Sequence, residues 1–502
     1  MLRTGYEFFA FGPRNHGFAT DGLIAMSIPR FTERFHATET ALRAKGQSHL
    51  FRWWAELTED QRERLLFEID TLPWGLLDGL IRTHVLSRPT FPPPRDIEAA
   101  PVLRRRPGPA QDSLYRIAEE RGHRLLKEGR VAAFTVAGGQ GSRLGFEGPK
   151  GLFPVTPVKG KTLFQLFAET VLAARKKWKA DIPWYIMTSP ANHEDTVAYF
   201  ERNDWFGLPA GDVMFFSQGV LPAIGFDGKL LLESKCSLAL APDGHGGSLK
   251  ALFVSGALAD MRHRGVEVVS YFQIDNPMVM PFDPLFIGLH VETGSEMATK
   301  VTPKAHDLER VGNVCMVDGK VTVIEYSELP ESLALARNPD GSRRLDAANL
   351  AVHLLDVSLI ERLTSGEFQL PFRRAEKAVP HVDESGITVK PPSPNAVKLE
   401  SFIFDVLPLA RNPLVFEVDR AEEFSPVKNA TGADSPETSR RDQVARAARW
   451  IEAAGIEVPR DSDGAPATAI EIPPRLALSH RDLVERASHL PTIDWSGPVY
   501  LE

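Results

Sequence analysis

Residues 131–151 read VAAFTVAGGQGSRLGFEGPKG. The opening seven residues are an apolar run broken only by Thr135, the pattern of a short strand buried on both faces. Four glycines follow within eight residues. A glycine-rich turn behind a buried strand can aim successive backbone N–H groups at one anion, and each missing Cβ lets that anion come closer. Arg143 and Lys150 then supply positive charge beside the turn.

Downstream of this stretch, strand-like and helix-like segments alternate. TLFQLFAETVLAARKKW carries Phe164, Phe167, Val171, Ala174 and Trp178 on one helical face, with the lysines at 176, 177 and 179 off that stripe and solvated. PWYIMTS, DVMFFSQ and VEVVSYFQID read as strands, separated by helices over HEDTVAYFERN and GGSLKALFVSGALADMRHRG. Such alternation predicts an α/β fold on a mixed, mostly parallel sheet with helices on both faces. Ligands of such sheets bind at the carboxyl ends of the strands, where the glycine turn and Asp275 both fall. Farther on, KVTVIEYSE reads as a strand that includes Glu325 and Tyr326, NLAVHLLDVSLIERL as a helix, and RDQVARAARWIEAAG as another helix. Phe402 and Phe404, two apart, read as one face of a core strand.

Upstream, residues 28–87 have a helical pattern, with Thr58 and Gln61 spaced as a capping box. SRPTFPPPRDIEAAPVLRRRPGP suits an extended crossing whose arginines, Arg104 to Arg106, face solvent. The expected organisation is a disordered leader over 1–25, a helical part and linker over 26–105, a catalytic α/β domain over 106–440 and a small C-terminal domain over 441–502. Because a second methionine, Met26, follows the leader, a start assigned upstream of the true one is an alternative.

Composition narrows the function. At 502 residues, with 43% hydrophobic and 25% charged residues, the chain is an ordinary globular protein. A net charge of −8 offers no general attraction to nucleic acid or anionic membranes, so a phosphate ligand needs local cations. Two cysteines, Cys236 and Cys315, fit neither a disulfide framework nor a zinc site and suggest a reducing, cytoplasmic setting. No secretory signal or bilayer-length apolar run is present.

Three nucleotide sites use glycine loops. A P-loop needs Gly-Lys-Ser/Thr, which is missing, since Lys150 follows Pro149. A dinucleotide fold needs a helix opening directly on its glycines, whereas Gly139, Gly141 and Arg143 lead into a proline-bearing loop. A nucleotidyltransferase loop remains, and here a resemblance enters. AGGQGSRLGFEGPKG resembles the nucleotide loop of the eukaryotic-type UDP-N-acetylhexosamine pyrophosphorylases and the wider UDP-sugar pyrophosphorylase group. The similarity extends from about Lys45 to about Gln443, through FSQGVLPA (216–223), APDGHGG (241–247), QIDNP (273–277), VIEYSE (323–328), NAVKLESFIFD (395–405) and EFSPVKNA (423–430).

The resemblance implies a Rossmann-like, GT-A-like nucleotidyltransferase that joins UTP and a sugar 1-phosphate into a UDP-sugar and pyrophosphate, with UDP-N-acetylglucosamine as the leading product. It implies that Ala137, Gly138, Gly139 and Gly141 cradle the phosphates, that Arg143, Lys150, Lys398 and Lys428 act as catalytic cations, and that Asp275 carries Mg²⁺. Lys150, Lys398 and Asp275 also count as UTP contacts. Gln218 and Gly244 match the uracil-reading positions. His245, Gly312, Glu325, Tyr326, Asn349 and Lys428 match the sugar-facing ones. One departure is evident: the N-acetylhexosamine enzymes usually have asparagine where this chain has His245, and glucose-using uridylyltransferases carry Gly-His-Gly at the related place. UDP-glucose or broad UDP-sugar synthesis is therefore the alternative. A non-catalytic UTP or UDP-sugar sensor is a further rival. A nicotinamide-dependent oxidoreductase is another, and it needs an acidic residue about 20 positions past the glycines.

Overall fold

Val131–Val136 (β3) forms the strand expected from its apolar run, its first five residues fully buried. The computed structural model describes residues 24–88, 96–366 and 369–502. The expected leader over 1–25 falls almost wholly outside them, as does the central stretch of the proline-rich crossing. β3 is one of eleven strands of the main sheet, the others being Ile97–Ala99 (β1), Leu103–Arg104 (β2), Trp184–Thr188 (β4), Val213–Ser217 (β5), Val268–Gln273 (β6), Met297–Pro303 (β7), Asn313–Val317 (β8), Lys320–Ile324 (β9), Ala347–Asp356 (β10) and Leu414–Glu417 (β11). The path runs β2-β11-β7-β10-β6-β3-β4-β5, with β1, β8 and β9 added beside β10. β6, β3, β4 and β5 are mutually parallel, as are β7, β11 and β2, while β10 runs antiparallel between the two groups.

Eleven helices matter here: Ile24–Ala44 (α1), Glu59–Asp70 (α2), Trp74–Leu80 (α3), Asp112–Lys127 (α4), Leu163–Trp178 (α5), His193–Arg202 (α6), Ser248–Val254 (α7), Ala257–His263 (α8), Pro284–Glu292 (α9), Val357–Thr364 (α10) and Pro436–Ala453 (α11). α2 begins at the expected capping box, Thr58 and Gln61 bonding reciprocally. α5 buries the whole stripe from Phe164 to Trp178. α4 and α9 approach so closely that a Cβ on Gly122 would lie 1.8 Å from the Pro284 carbonyl oxygen, and one on Gly288 1.6 Å from that of Ala118.

Five readings need correction. NLAVHLLDVSLIERL is not one helix: residues up to Asp356 are β10, and only Val357–Thr364 is helical. Side chains on both faces of this strand are buried, so it lacks the alternation that separates strand from helix. The helix expected over 246–265 is two, α7 and α8, parted at Gly256, whose φ of 83° no helix accommodates. β9 ends at Ile324, leaving Glu325 and Tyr326 in a turn, and Phe402 precedes a 3₁₀ segment that contains Phe404. Arg105 is half-buried and paired, not simply solvated. Its guanidinium donates to the buried carboxylate of Asp283, the N-cap of α9.

The described residues divide into two compact units. The smaller comprises residues 24–88, 222–240 and 376–398; the larger holds the rest, including the sheet. In the smaller, Gln47 bonds the backbone of Gly228 and Leu230, and Glu68 accepts from Ser237 and the Leu238 amide, which ties the 222–240 segment to the helices. In the larger, residues 441–502 hold an apolar cluster of their own around Trp450, Ile451 and Ile470. Among the described residues no helix is long and apolar enough to cross a membrane.

Candidate active site

The carboxyl ends of β3, β5 and β6 carry the first group of candidate residues. Past β3 the chain folds back on itself: the Gly141 amide bonds Gly148 O at 2.9 Å and the Lys150 amide bonds Gly139 O at 3.0 Å. This leaves the amides of Gly138 and Gly139 without an acceptor among the described residues. Ala137 is buried, its amide on Met187 O and its carbonyl receiving the Asn192 side chain, so the base of the turn is fixed. Gly138 lies close against Gln218: a Cβ there would lie 2.9 Å from Gln218 Oε1. Gln218, directly after β5, is thereby placed against the turn. Gly141 is enclosed by Phe146, and Arg143 is exposed.

Lys150 and Asp275 meet across the turn, Nζ to Oδ2 at 3.7 Å, both largely buried. Asp275 stands two residues beyond β6, and its carbonyl accepts the Val427 amide at 2.8 Å, which brings Lys428 to the same place. Asp275, Asn349 and Lys428 line one recess of about 360 Å³. Among the described residues no group of three or more His, Cys, Asp or Glu side chains could hold a metal. A lone, partly shielded carboxylate still suits a hard cation whose remaining ligands are phosphate oxygens and water.

Gly312, Glu325 and Asn349 form a second group. Asn349 N donates to Gly312 O at 2.9 Å, and a Cβ on Gly312 would fall 3.0 Å from Glu325 Oε1. Burial raises the Glu325 carboxyl above its ordinary value and Glu328 adds to this, while Arg373 and Lys428 oppose it. Asn349 Oδ1 accepts from the Ala351 amide at 3.1 Å and from Thr299 Oγ1 at 3.3 Å, which directs its NH₂ group as the remaining donor. Ala351, with φ 56°, sits where β10 and β7 slip register. A non-glycine residue in that conformation is strained. Tyr326 is exposed and joins no part of this group.

The third group surrounds His245. Gly244 has φ 85° and ψ 166°, a region open only to glycine, and a Cβ would lie 2.3 Å from Ser401 O. His245 Nδ1 accepts the Ile403 amide at 3.1 Å, and its ring stacks on Phe402 at 5.1 Å. Burial drives its ionisation down to about 4, so the ring is neutral and carries its hydrogen on Nε2. Lys398 is half-buried on the strand Ala396–Ser401 and is the one candidate that belongs to the smaller unit.

Sequence reading missed Asn276 and Arg373. Arg373 grips Asp405 with two nitrogens and lies over Phe402 and Phe404. Neither has a sequence signal beyond its neighbours: Asn276 resembles any Asp-Asn-Pro turn, and the partners of Arg373 are far away in the chain.

Comparison with known proteins accords with this geometry. The family model described as UTP--glucose-1-phosphate uridylyltransferase matches residues 104–433. The human UDP-N-acetylhexosamine pyrophosphorylase-like protein 1 is 41% identical over 440 residues, 84% of this chain and 86% of that protein. The UDP-N-acetylglucosamine pyrophosphorylase of Saccharomyces cerevisiae is 35% identical over 460 residues, 87% of this chain and 94% of that one. The crystal structure of the uridine diphosphate N-acetylglucosamine pyrophosphorylase from Trypanosoma brucei superposes with a TM-score of 0.74 over 93% of this chain and 98% of that one; at 23% identity it bears on the fold alone. With a family match across the sheet and the site, and relatives above 30% identity along most of its length, the chain belongs to the uridylyltransferase family that the matched model describes.

Proposed function

We propose that this protein is a uridylyltransferase that joins UTP to N-acetylglucosamine 1-phosphate and releases pyrophosphate. The observation that carries the reading is the meeting of Lys150, Asp275 and Lys428 beside the free amides of Gly138 and Gly139. In the reaction an oxygen of the sugar phosphate attacks the α-phosphorus of UTP, a new P–O bond forms, and the bond to the β-phosphate oxygen breaks in line with it. The centre passes through concentrated negative charge, so catalysis is mainly positioning and neutralisation.

The glycine amides and Lys150, with Arg143 beside them, hold the triphosphate. Lys428 faces the sugar phosphate, and Lys398 is assigned to UTP. Asp275 is the residue that would hold Mg²⁺, and the ion would supply positive charge to offset that of the phosphates. Gln218 and Gly244 read uracil. Gly312, Glu325 and Asn349 receive sugar hydroxyls, and His245 is assigned to the sugar with them. The free cysteines Cys236 and Cys315 accord with a reducing cytoplasm.

A second reading, hexose 1-phosphate as acceptor, rests on His245, which stands where the N-acetylhexosamine enzymes usually have asparagine. Incubation with UTP, Mg²⁺ and N-acetylglucosamine 1-phosphate should yield the UDP-sugar, and chelation of the metal should stop it. UTP binding by calorimetry with no product from any sugar 1-phosphate would sink the transfer reading in favour of a sensor.

A further inference from the structure

Two loops that are far apart in sequence carry Asp275 and Lys428, and one buried side chain joins them. Asn276 is 4% exposed. Its Nδ2 donates to Glu423 O at 2.7 Å, and its Oδ1 accepts the amides of Ser425 at 3.1 Å and of Met278 at 3.2 Å. Oδ1 thus accepts twice and one Nδ2–H donates within the protein, so most of the hydrogen-bonding capacity of the amide is spent on joining the loops. On one side of it the Asp275 carbonyl accepts the Val427 amide at 2.8 Å. Below, Arg446 Nη1 donates at 3.0 Å to both Met278 O and Glu422 O, bridging the same two loops. The far loop is itself anchored: Lys300, fully buried, donates to Glu423 Oε2 at 2.6 Å and to Asp283 Oδ2 at 3.3 Å. Ser425 is held from two sides, its hydroxyl on Asp442 at 2.8 Å and its carbonyl accepting Ser439 Oγ at 2.9 Å.

We propose that Asn276 is a positioning residue that fixes Lys428 relative to Asp275, setting the separation between the cation on the sugar phosphate and the carboxylate beside the triphosphate. The inference rests on the assignment of Asp275 and Lys428 as substrate-facing groups. Loss of the clamp frees the 423–428 loop from the end of β6, and a displacement of about 1 Å in a group of this kind is enough to cost about 10²-fold in rate.

A double-mutant cycle on the full-length protein tests it, with pyrophosphate release as the readout at saturating UTP and Mg²⁺. Asn276→Ala should lower turnover about 10- to 100-fold, and in the Lys428→Ala background the same change should cost less than about threefold, because the group it positions is already gone. Asn276→Asp preserves the size and the oxygen that accepts from Ser425 and Met278 but replaces the donating NH₂ with a carboxylate oxygen set against the Glu423 carbonyl. It should fall between wild type and Asn276→Ala, and it serves if the alanine variant does not fold. Wild-type turnover in either Asn276 variant, or the full factor recurring in the Lys428→Ala background, would overturn the assignment of Asn276. Wild-type turnover in Lys428→Ala alone would instead overturn the reading on which the inference rests.

Discussion

Lys428 is an ordinary lysine in a loop with an ordinary sequence, and only its surroundings give it a task. Its own amide is held by Asp434 O at 2.7 Å, the preceding amide by Asp275 O, and the side chain opens on the recess lined by Asp275 and Asn349. A cation placed against developing negative charge in a partly dry site typically contributes about 10²–10³ in rate. Lys428→Ala should therefore lose about that much turnover while UTP binding, measured by calorimetry, changes little. Equal loss of UTP affinity would move Lys428 to the nucleotide. Single residues of the site were legible in the sequence where a motif marked them, as for Gly138, Lys150 and Asp275. The reasons for them were not: that Gly138 lies close against Gln218 and that Gly244 makes room for Ser401 depend on residues 80 and 157 positions away.

Elements were legible where the local pattern admits one reading. The α5 stripe and the Thr58–Gln61 capping box are local patterns and came through intact. β10 did not, because residues on both of its faces are buried, and the helix α10 that follows extends an apparently helical run. The contact between α4 and α9 was equally silent, since a glycine inside a helix says nothing of what it faces. Here Gly288 meets the Ala118 carbonyl and Gly122 the Pro284 carbonyl, backbone against backbone with no flexible side chain to yield. Gly288→Ala should cost about 3 kcal/mol in chemical unfolding, and an unchanged midpoint would mean that the helices separate without penalty. α9 also carries the Asp283 cap. Burial alone would raise that carboxyl, yet Arg105 and Lys300 beside it hold it below the usual range, so the charge that fixes the helix start also anchors the Lys300–Glu423 pair under the Lys428 loop.

For the whole molecule, acid stability follows from buried titrating groups. Burial pushes His353 down to about 3 and His245 down to about 4, whereas an unfolded histidine protonates near 6.5. Below about pH 6.5 the unfolded chain binds more protons, so each histidine removes stability as pH falls towards its folded value. Asp243 acts in the opposite sense: burial raises it to about 6, and the stability it contributes is present at low pH and lost as pH rises through that value. His353 has no partner at either nitrogen among the described residues. His353→Leu should gain on wild type by up to roughly 1 kcal/mol per pH unit between about pH 6.5 and 4 in urea unfolding. Parallel pH curves would contradict a buried neutral His353. The α/β class and the candidate residues of the larger unit could be read from the sequence because each lies at a strand end or in a glycine turn. The clamp at Asn276 and the strained Ala351 arise only when distant segments meet. The sugar depends on what His245 presents, and the most direct measurement is pyrophosphate release from UTP and Mg²⁺ with the 1-phosphates of N-acetylglucosamine, N-acetylgalactosamine, glucose and galactose. Release that is fastest with N-acetylglucosamine 1-phosphate is the result expected; fastest release with glucose 1-phosphate would contradict the sugar assignment, and no release with any of the four would contradict uridylyl transfer itself.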